Sequence, residues 1–458
     1  MLLGVITNGG KFRLTDYAYS DKQITINKDT TIDLNGKMLC NRSGGLDSFF
    51  VVENRATLTI EDLGQTTIDA SSSVDTANTP AGQPAIMTWE RGDESSSNGS
   101  APKSLTYYET KSTPNTDGLC TTETTYRHVV TGFGAIDAAS DRGSVKYVVN
   151  VEAGCTLDLK GGMITTAANL GNNGHVIYSE GTVKIEGGYV TNGNGGGWGG
   201  GLCMAKGSLN MTGGVIAANK AASGGGIFAN SGVTLDLSGG VISGNATYAK
   251  GIGGSNCGGD TGDGGYGGGV YTKGANVTIG GSANITNNRV DAWIADSYLY
   301  NFGLLGGGGI ACTHRGTLTM TGGSVTANYS KEAGGGIYAG FHNQPIIKFS
   351  MTGGTIAGNE SENAEGGGLR ISTGTTGDIK AEPSTSNKIY ITNNKTMTGE
   401  SRGGDWGGGG VFVQKGGKLN IVRTLITDNE AGGWGGGIGA CRDNCFALKW
   451  CRNLQQYG

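Results

Sequence analysis

A run of glycines followed by a branched apolar residue recurs along the second two thirds of the chain, each time with an asparagine trailing it at nearly fixed distance. The apolar members are Leu202, Ile227, Val270, Ile310, Ile337, Leu369, Val411 and Ile438. From each of the first seven to the asparagine of the next I/V-x-x-N segment (Asn219, Asn245, Asn288, Asn328, Asn359, Asn394, Asn429) the chain takes 17, 18, 18, 18, 22, 25 and 18 residues. The return from that asparagine to the next apolar residue takes 8, 25, 22, 9, 10, 17 and 9 residues, so insertions gather at one place in the unit. A minimal period of roughly 25 residues, with segments too short for helices, is the signature of a stacked solenoid.

Within a unit the apolar period is two. Leu235 and Leu237 flank Asp236, and Val277/Ile279 and Leu318/Met320 occupy the same slots in later copies. Alternation over three to five residues, bounded by Gly, Asn, Ser and Thr, predicts short strands turning sharply, about three per coil. The expected fold is therefore all-β, a right-handed parallel β-helix with loop insertions along one edge. Glycine fits corners that need positive φ or close backbone approach. An asparagine at the same corner of successive coils can form an amide ladder that satisfies otherwise buried backbone groups.

Residues 1–70 carry the pattern with less glycine: Ile24, Ile26, Ile32 and Leu34, then Leu58 and Ile60, around an Asp33-Leu34-Asn35-Gly36 turn. With Leu157/Leu159 and Val183/Ile185, about a dozen coils are expected, a rod on the order of 55 Å long at roughly 4.8 Å per coil. Residues 71–145 interrupt it with a Ser/Thr/Asn-rich insertion, read as a lid, a small subdomain or a disordered arm. Residues 146–440 are glycine-rich coils, and 441–458, with Cys441, Cys445 and Cys451, drop the repeat and read as a partly helical cap or tail.

Glycine makes up 89 of 458 residues and proline only 6, which excludes collagen-like and proline-rich disordered chains. A formal charge of −4, four histidines and no basic cluster argue against a nucleic-acid partner. No segment is long and apolar enough to span a membrane, and Met1 to Ile6 lacks the features of a signal peptide, so an exported protein would be a mature form or part of something larger. Cys203 and Cys312 read as small buried apolar groups. Of the N-x-S/T triplets at Asn210, Asn245, Asn328, Asn359 and Asn394, most coincide with the inferred corner ladder, where a glycan does not fit.

The units Gly224 to Asn230 (G-G-G-I-F-A-N), Met211 to Ala221 (M-T-G-G-V-I-A-A-N-K-A) and Thr31 to Gly36 (T-I-D-L-N-G) resemble the β-helix repeats of bacterial surface proteins, and are similar to those of the polymorphic outer-membrane protein and autotransporter adhesin group. The resemblance implies an exported, cell-surface role in adhesion or display. Here the third position of the G-G-A-[I/V/L] motif is glycine, and no membrane barrel follows.

On a regular rod, function sits in loops or along one face. Aromatics just before several glycine clusters (Trp198, Tyr266, Trp406, Trp434) could stand as a stripe suited to stacking on sugar rings, or plug the space above a glycine corner. The insertion Arg289 to Leu305 adds Trp293, Tyr298 and Tyr300, a self-packed cover or a platform for a glycan or a host or neighbouring cell-surface protein. Asp260 and Asp263, in a Gly-rich loop, offer hard oxygen donors to Ca²⁺, or form a solvated turn. No other cofactor and no catalytic residues are assigned: Asp158, Glu186 and Asp236 alternate outward singly. The expected function is a non-catalytic extracellular or cell-surface adhesin, binding or display rod; the alternative is a polysaccharide lyase or glycoside hydrolase, which needs acids clustered on one face.

Overall fold

The structure is a computed structural model, described for residues 8–41, 45–64, 67–90, 101–138, 145–166, 174–247, 264–292, 305–341, 344–363, 365–383, 388–397, 407–441 and 447–449. It is a parallel β-helix. One column of strands is a 12-stranded sheet running from Ile24–Ile26 to Ile438–Ala440, one strand per coil. The second and third columns share a 23-stranded sheet, and eight short strands, Asn194–Trp198 to Glu430–Ala431, form a column at the asparagine corner. Among the described strands the pairings between coils are parallel, with like positions stacked as in Leu209↔Leu235 and Leu235↔Val277, and the register shifts only locally, near Thr212 and between Gly195 and Trp198.

A single coil shows why the sequence does this. Ile227 and Ala229 point inward from the first column, Leu235 and Leu237 from the second, and Ile242 from the third, all at most 2 % exposed. Each stacks on its counterpart in the next coil, so the apolar column is continuous from Leu14 to Ile426. A buried aliphatic of this kind contributes about 1.5–3 kcal/mol, which is how coils made of such short strands hold together.

The three glycines of a cluster do three different things. Gly307 takes φ +77° to turn the corner. A Cβ on Gly308 would land on the carbonyl oxygens of Tyr329 and Gly335, far inside van der Waals contact. A Cβ on Gly309 would lie 2.9 Å from Asn328 Nδ2 and 2.8 Å from the Gly336 carbonyl. The same asparagine contact recurs from Gly201 against Asn219 to Gly410 against Asn429. The near-constant spacing is thus the path from the glycines through the second and third columns to a corner where an asparagine packs on the third glycine of its own coil, and the few residues after it complete the turn, 25 in all from Leu202 to Ile227. An alanine there, as in the G-G-A motif, would not fit.

The asparagines form an unbroken ladder. Asn219 Nδ2 donates to Asn245 Oδ1 at 3.0 Å, and the chain of amides continues through Asn288, Asn328, Asn359 and Asn394 to Asn429 at 2.9–3.0 Å per step. Each Oδ1 also takes the preceding rung's backbone N–H, and each Nδ2 reaches a carbonyl such as Ile285 O at 2.8 Å. The residue before each ladder asparagine is left-handed: Ala218, Gly244, Asn287, Ala327, Gly358, Asn393 and Asp428 have φ between +50° and +63°, which accounts for the small or Asx residue there. Asn245, Asn328, Asn359 and Asn394 are fully buried, whereas Asn210 points outward and is exposed. Three of the sequence insertions fall at this corner, where the described coils end at Thr247, Ala292 and Met397 and resume at Gly264, Leu305 and Gly407, whereas the 71–145 insertion falls between the second column, after Glu61, and the third, at Ala135.

The 71–145 insertion is ordered wherever it is described. Ile68–Val74, Thr121–Thr131, Ala101–Pro114 and Ile86–Glu90 make a four-stranded antiparallel sheet. Its long hairpin, in register from Leu105↔Val130 to Pro114↔Thr121, lies lengthwise along the third column. Its near half packs Leu105, Tyr107 and Val130 on Met38, Met163, Val215 and Ala217, outward-facing residues of that column. In the tail, where a partly helical cap was expected, Ala447–Lys449 is instead a strand pairing with Asn420–Val422: the open backbone edge of the previous coil is satisfied by one more rung. Cys445 and Cys451 lie outside the described residues.

Candidate functional site

The outward positions of the first column line up as Asn150, Tyr178, Cys203, Phe228, Tyr271, Ala311, Tyr338, Arg370 and Phe412. Their rings, with those set just before the glycine clusters, form a row. Trp198 stacks on Phe228 at 4.9 Å and 21°, Phe228 meets Tyr271 at 5.7 Å, and Tyr271 stacks on Tyr266 at 5.5 Å. Tyr266 in turn touches Tyr338 and Phe341. Alternation places these side chains outside the aliphatic column, and the close coil spacing brings rings of successive coils into contact.

Most of this row is sealed. Tyr266, one of the aromatics expected to face a ligand, is only 1 % exposed; wedged among Tyr271, Tyr338 and Phe341, it presents no ring face to solvent. At the far end Arg370 is buried as well. Its guanidinium lies 4.7 Å from the Tyr338 ring and donates to Glu365 at 2.7 Å and to Ser372 at 2.6 Å. The paired charge anchors the row, and removing either partner would strand the other.

The row opens at Trp198. Its indole is 36 % exposed, backed by Phe228, with Lys273 Nζ 5.1 Å from the ring centroid. Tyr147 and Tyr178, half-buried and stacked at 4.8 Å, stand on the same column. Trp434 is 74 % exposed, and no ring lies against it among the described contacts; its backbone bridges to Gly407. Trp293, Tyr298, Tyr300 and Trp406, and the aspartates Asp260 and Asp263, lie outside the described residues. Among the described residues no group of three or more His, Cys, Asp or Glu side chains is placed to hold a metal ion.

Of the carboxylates weighed for catalysis, Asp236 stands apart, whereas Asp158 and Glu186 lie on either side of one ammonium, that of Lys160. On the second column the outward register runs Asp158, Lys184, Asn210, Asp236, Thr278. Asp158 and Asp236 are thus three rungs apart, about 14 Å at the usual strand spacing, beyond the separation of a glycosidase acid pair. Glu186 faces Lys160, which Asp158 also contacts.

Two histidines give the molecule opposite responses to pH. His175 is buried beside the glycine corner, stacks on Tyr147 and donates from Nδ1 to the Gly199 carbonyl at 2.7 Å; burial pushes its pKa down to about 4. Because the unfolded chain protonates near pH 6.5, the stabilisation is complete above that pH and is lost as pH falls toward 4, up to about 3 kcal/mol. A His175→Gln variant should show a flatter unfolding midpoint between pH 6.5 and 4 than the parent; an unchanged slope would contradict this. His128, on the long hairpin, lies between Asp69 (Nδ1, 2.9 Å) and Glu109 (Nε2, 3.2 Å) and stacks on Tyr107. Burial opposes its charge, but the two carboxylates win and raise its pKa. Its contribution is present below the unfolded value and is lost as pH rises through the raised one.

The sequence gives no direct sign of one further arrangement. The last position of the third column carries Thr165, Thr191, Ala217, Ser243, Thr286, Thr326, Ala357, Thr392 and Thr427 in register, a hydroxyl track under the hairpin. Ser243 donates to the Tyr108 carbonyl, Thr326 to that of Thr110 at 2.8 Å, and Thr286 Oγ1 accepts the Thr110 N–H at 3.2 Å. The available signal was the doubled apolar pair Val241-Ile242, which breaks strict alternation because both sides of that strand are covered. Among the described residues no helix is long and apolar enough to cross a membrane. Comparison with known protein families, with curated proteins and with solved structures found no match to this chain.

Proposed function

We propose that this protein is an extracellular or cell-surface binding and display rod, non-catalytic, and that it holds glycans at the open end of its aromatic row. The observation that carries the reading is Trp198: a large ring fixed from behind by Phe228, about a third open to solvent, with the Lys273 ammonium beside it. Sugar rings offer C–H patches to such a face and hydroxyls to a neighbouring cation, and a ring already held in place loses little entropy on binding. Asp236 is remote from Asp158, and the neighbouring Asp158 and Glu186 are joined by the Lys160 ammonium between them, an ion-paired surface rather than an acid and a base left open to a substrate, which favours holding over cleaving. The likeness of the repeats to bacterial surface adhesins supports the location and the adhesive role.

The test is a glycan array followed by calorimetry on hits, with the parent, Trp198→Ala and Trp434→Ala. Binding should weaken at least tenfold in Trp198→Ala while the circular-dichroism spectrum stays that of the parent. Undiminished binding in that variant, or release of new reducing ends or unsaturated products from the bound glycan, would overturn the proposal.

A further inference from the structure

From the contacts at the two ends of the long hairpin we infer that it is an axial tie, which couples coils at opposite ends of the rod and makes the stack unfold as one unit. In a plain solenoid each coil touches only its neighbours, so end coils open independently. Here the hairpin belongs by sequence to the early coils. The chain leaves them after Glu61 and returns at Ala135–Asp137, a strand paired with both Met38–Asn41 and Met163–Thr165. Its near half is held by the apolar cluster around Met38 and Met163 and by the Asp69–His128–Glu109 contacts, with Asn284 Nδ2 reaching Glu109 at 3.3 Å.

The hairpin touches the middle coils at Ser243, Thr286 and Thr326 on its way, and its far half grips late ones. Thr121 meets the Thr392 hydroxyl, and Asn393 Nδ2 donates to the Thr121 carbonyl at 2.9 Å and to Glu123 Oε2 at 2.6 Å. Thr427 Oγ1 donates to the Leu119 carbonyl at 3.2 Å, and Lys388 and Tyr390 reach the Gly118 carbonyl at the hairpin turn. A stiff two-stranded ribbon fixed at both ends along the axis cannot stay docked while the coils beneath it separate. Opening the late coils therefore also costs the contacts of the tip.

Hydrogen exchange read by mass spectrometry tests this on the full chain. In the parent, amides of Ser48–Val52 and of Val411–Val413 should exchange with a common opening constant. Two variants cut the tie from different sides: Thr392→Val with Asn393→Gly and Thr427→Val removes the anchors while keeping the left-handed corner at 393, and replacement of Lys111 to Thr124 by an Asn-Gly turn shortens the hairpin with every coil intact. In both, Val411–Val413 and Lys418–Val422 should exchange at least tenfold faster with Ser48–Val52 unchanged. Graded protection along the parent rod, equal acceleration at both ends, or no acceleration in the shortened variant would each overturn the inference.

Discussion

Replacing Gly308 with alanine should destabilise the rod by about 3 kcal/mol or more, while Gly197→Ala should leave it within about 0.5 kcal/mol of the parent. Both glycines stand in glycine-rich runs at coil corners, and composition alone does not distinguish them. At Gly308 a methyl group would meet two backbone carbonyls, Tyr329 and Gly335, belonging to the same coil and the next; neither can yield without parting the stack. At Gly197 nothing lies within 4 Å of the added atom, and the backbone is not left-handed. Urea midpoints of the two variants give the comparison, and equal midpoints would contradict the assignment of the second glycine to backbone closure.

Asn328→Leu should cost about 3–5 kcal/mol, although the two side chains are close in size. Asn328 Oδ1 accepts from the backbone N–H and the side-chain amide of Asn288, and its Nδ2 donates to the Ile285 carbonyl and to Asn359. Leucine removes all four bonds at a fully buried corner: Asn288 Nδ2 keeps the Ile242 and Thr286 carbonyls and Asn359 Oδ1 keeps the backbone N–H of residue 328, but the Asn288 backbone N–H loses its acceptor, and an unmade hydrogen bond there carries the full desolvation penalty. The same change at Asn429, the last described rung, should cost about 1–2 kcal/mol, because groups near the end of a stack can reach water. Equal losses at the two positions, measured by urea unfolding, would show that the ladder is not acting as a continuous network.

The architecture was legible because two periods coexist in the chain. Alternation at Leu235/Leu237 and Val277/Ile279 reports strands, and the 18-residue interval from Ile310 to Asn328 reports a chain that bends back to its starting corner, since only a residue that packs on that corner needs such a constant. The hairpin was less legible. Residues 101–131 show uneven alternation and little glycine, and what identifies them as a cover is the outward apolar surface of Met163 and Val215, more than thirty residues away. Tyr266 and Trp198 look alike in sequence, each just before a glycine cluster, yet one is buried and the other open. The difference lies in tertiary packing: Tyr271, Tyr338 and Phe341 close around Tyr266, whereas Trp198 has Phe228 on one side alone among the described ring contacts.

The central claim is that residues far apart in sequence sit at successive rungs of one column. Double electron–electron resonance between spin labels on the outward positions of the second column tests it most directly. Paired with a label at Asp378, positions Asp236, Asn210 and Lys184 lie four, five and six rungs away. The account predicts distances near 19, 24 and 29 Å, rising by about 4.8 Å per rung. Distances that failed to rise, or that rose by a step far from the strand spacing, would contradict it.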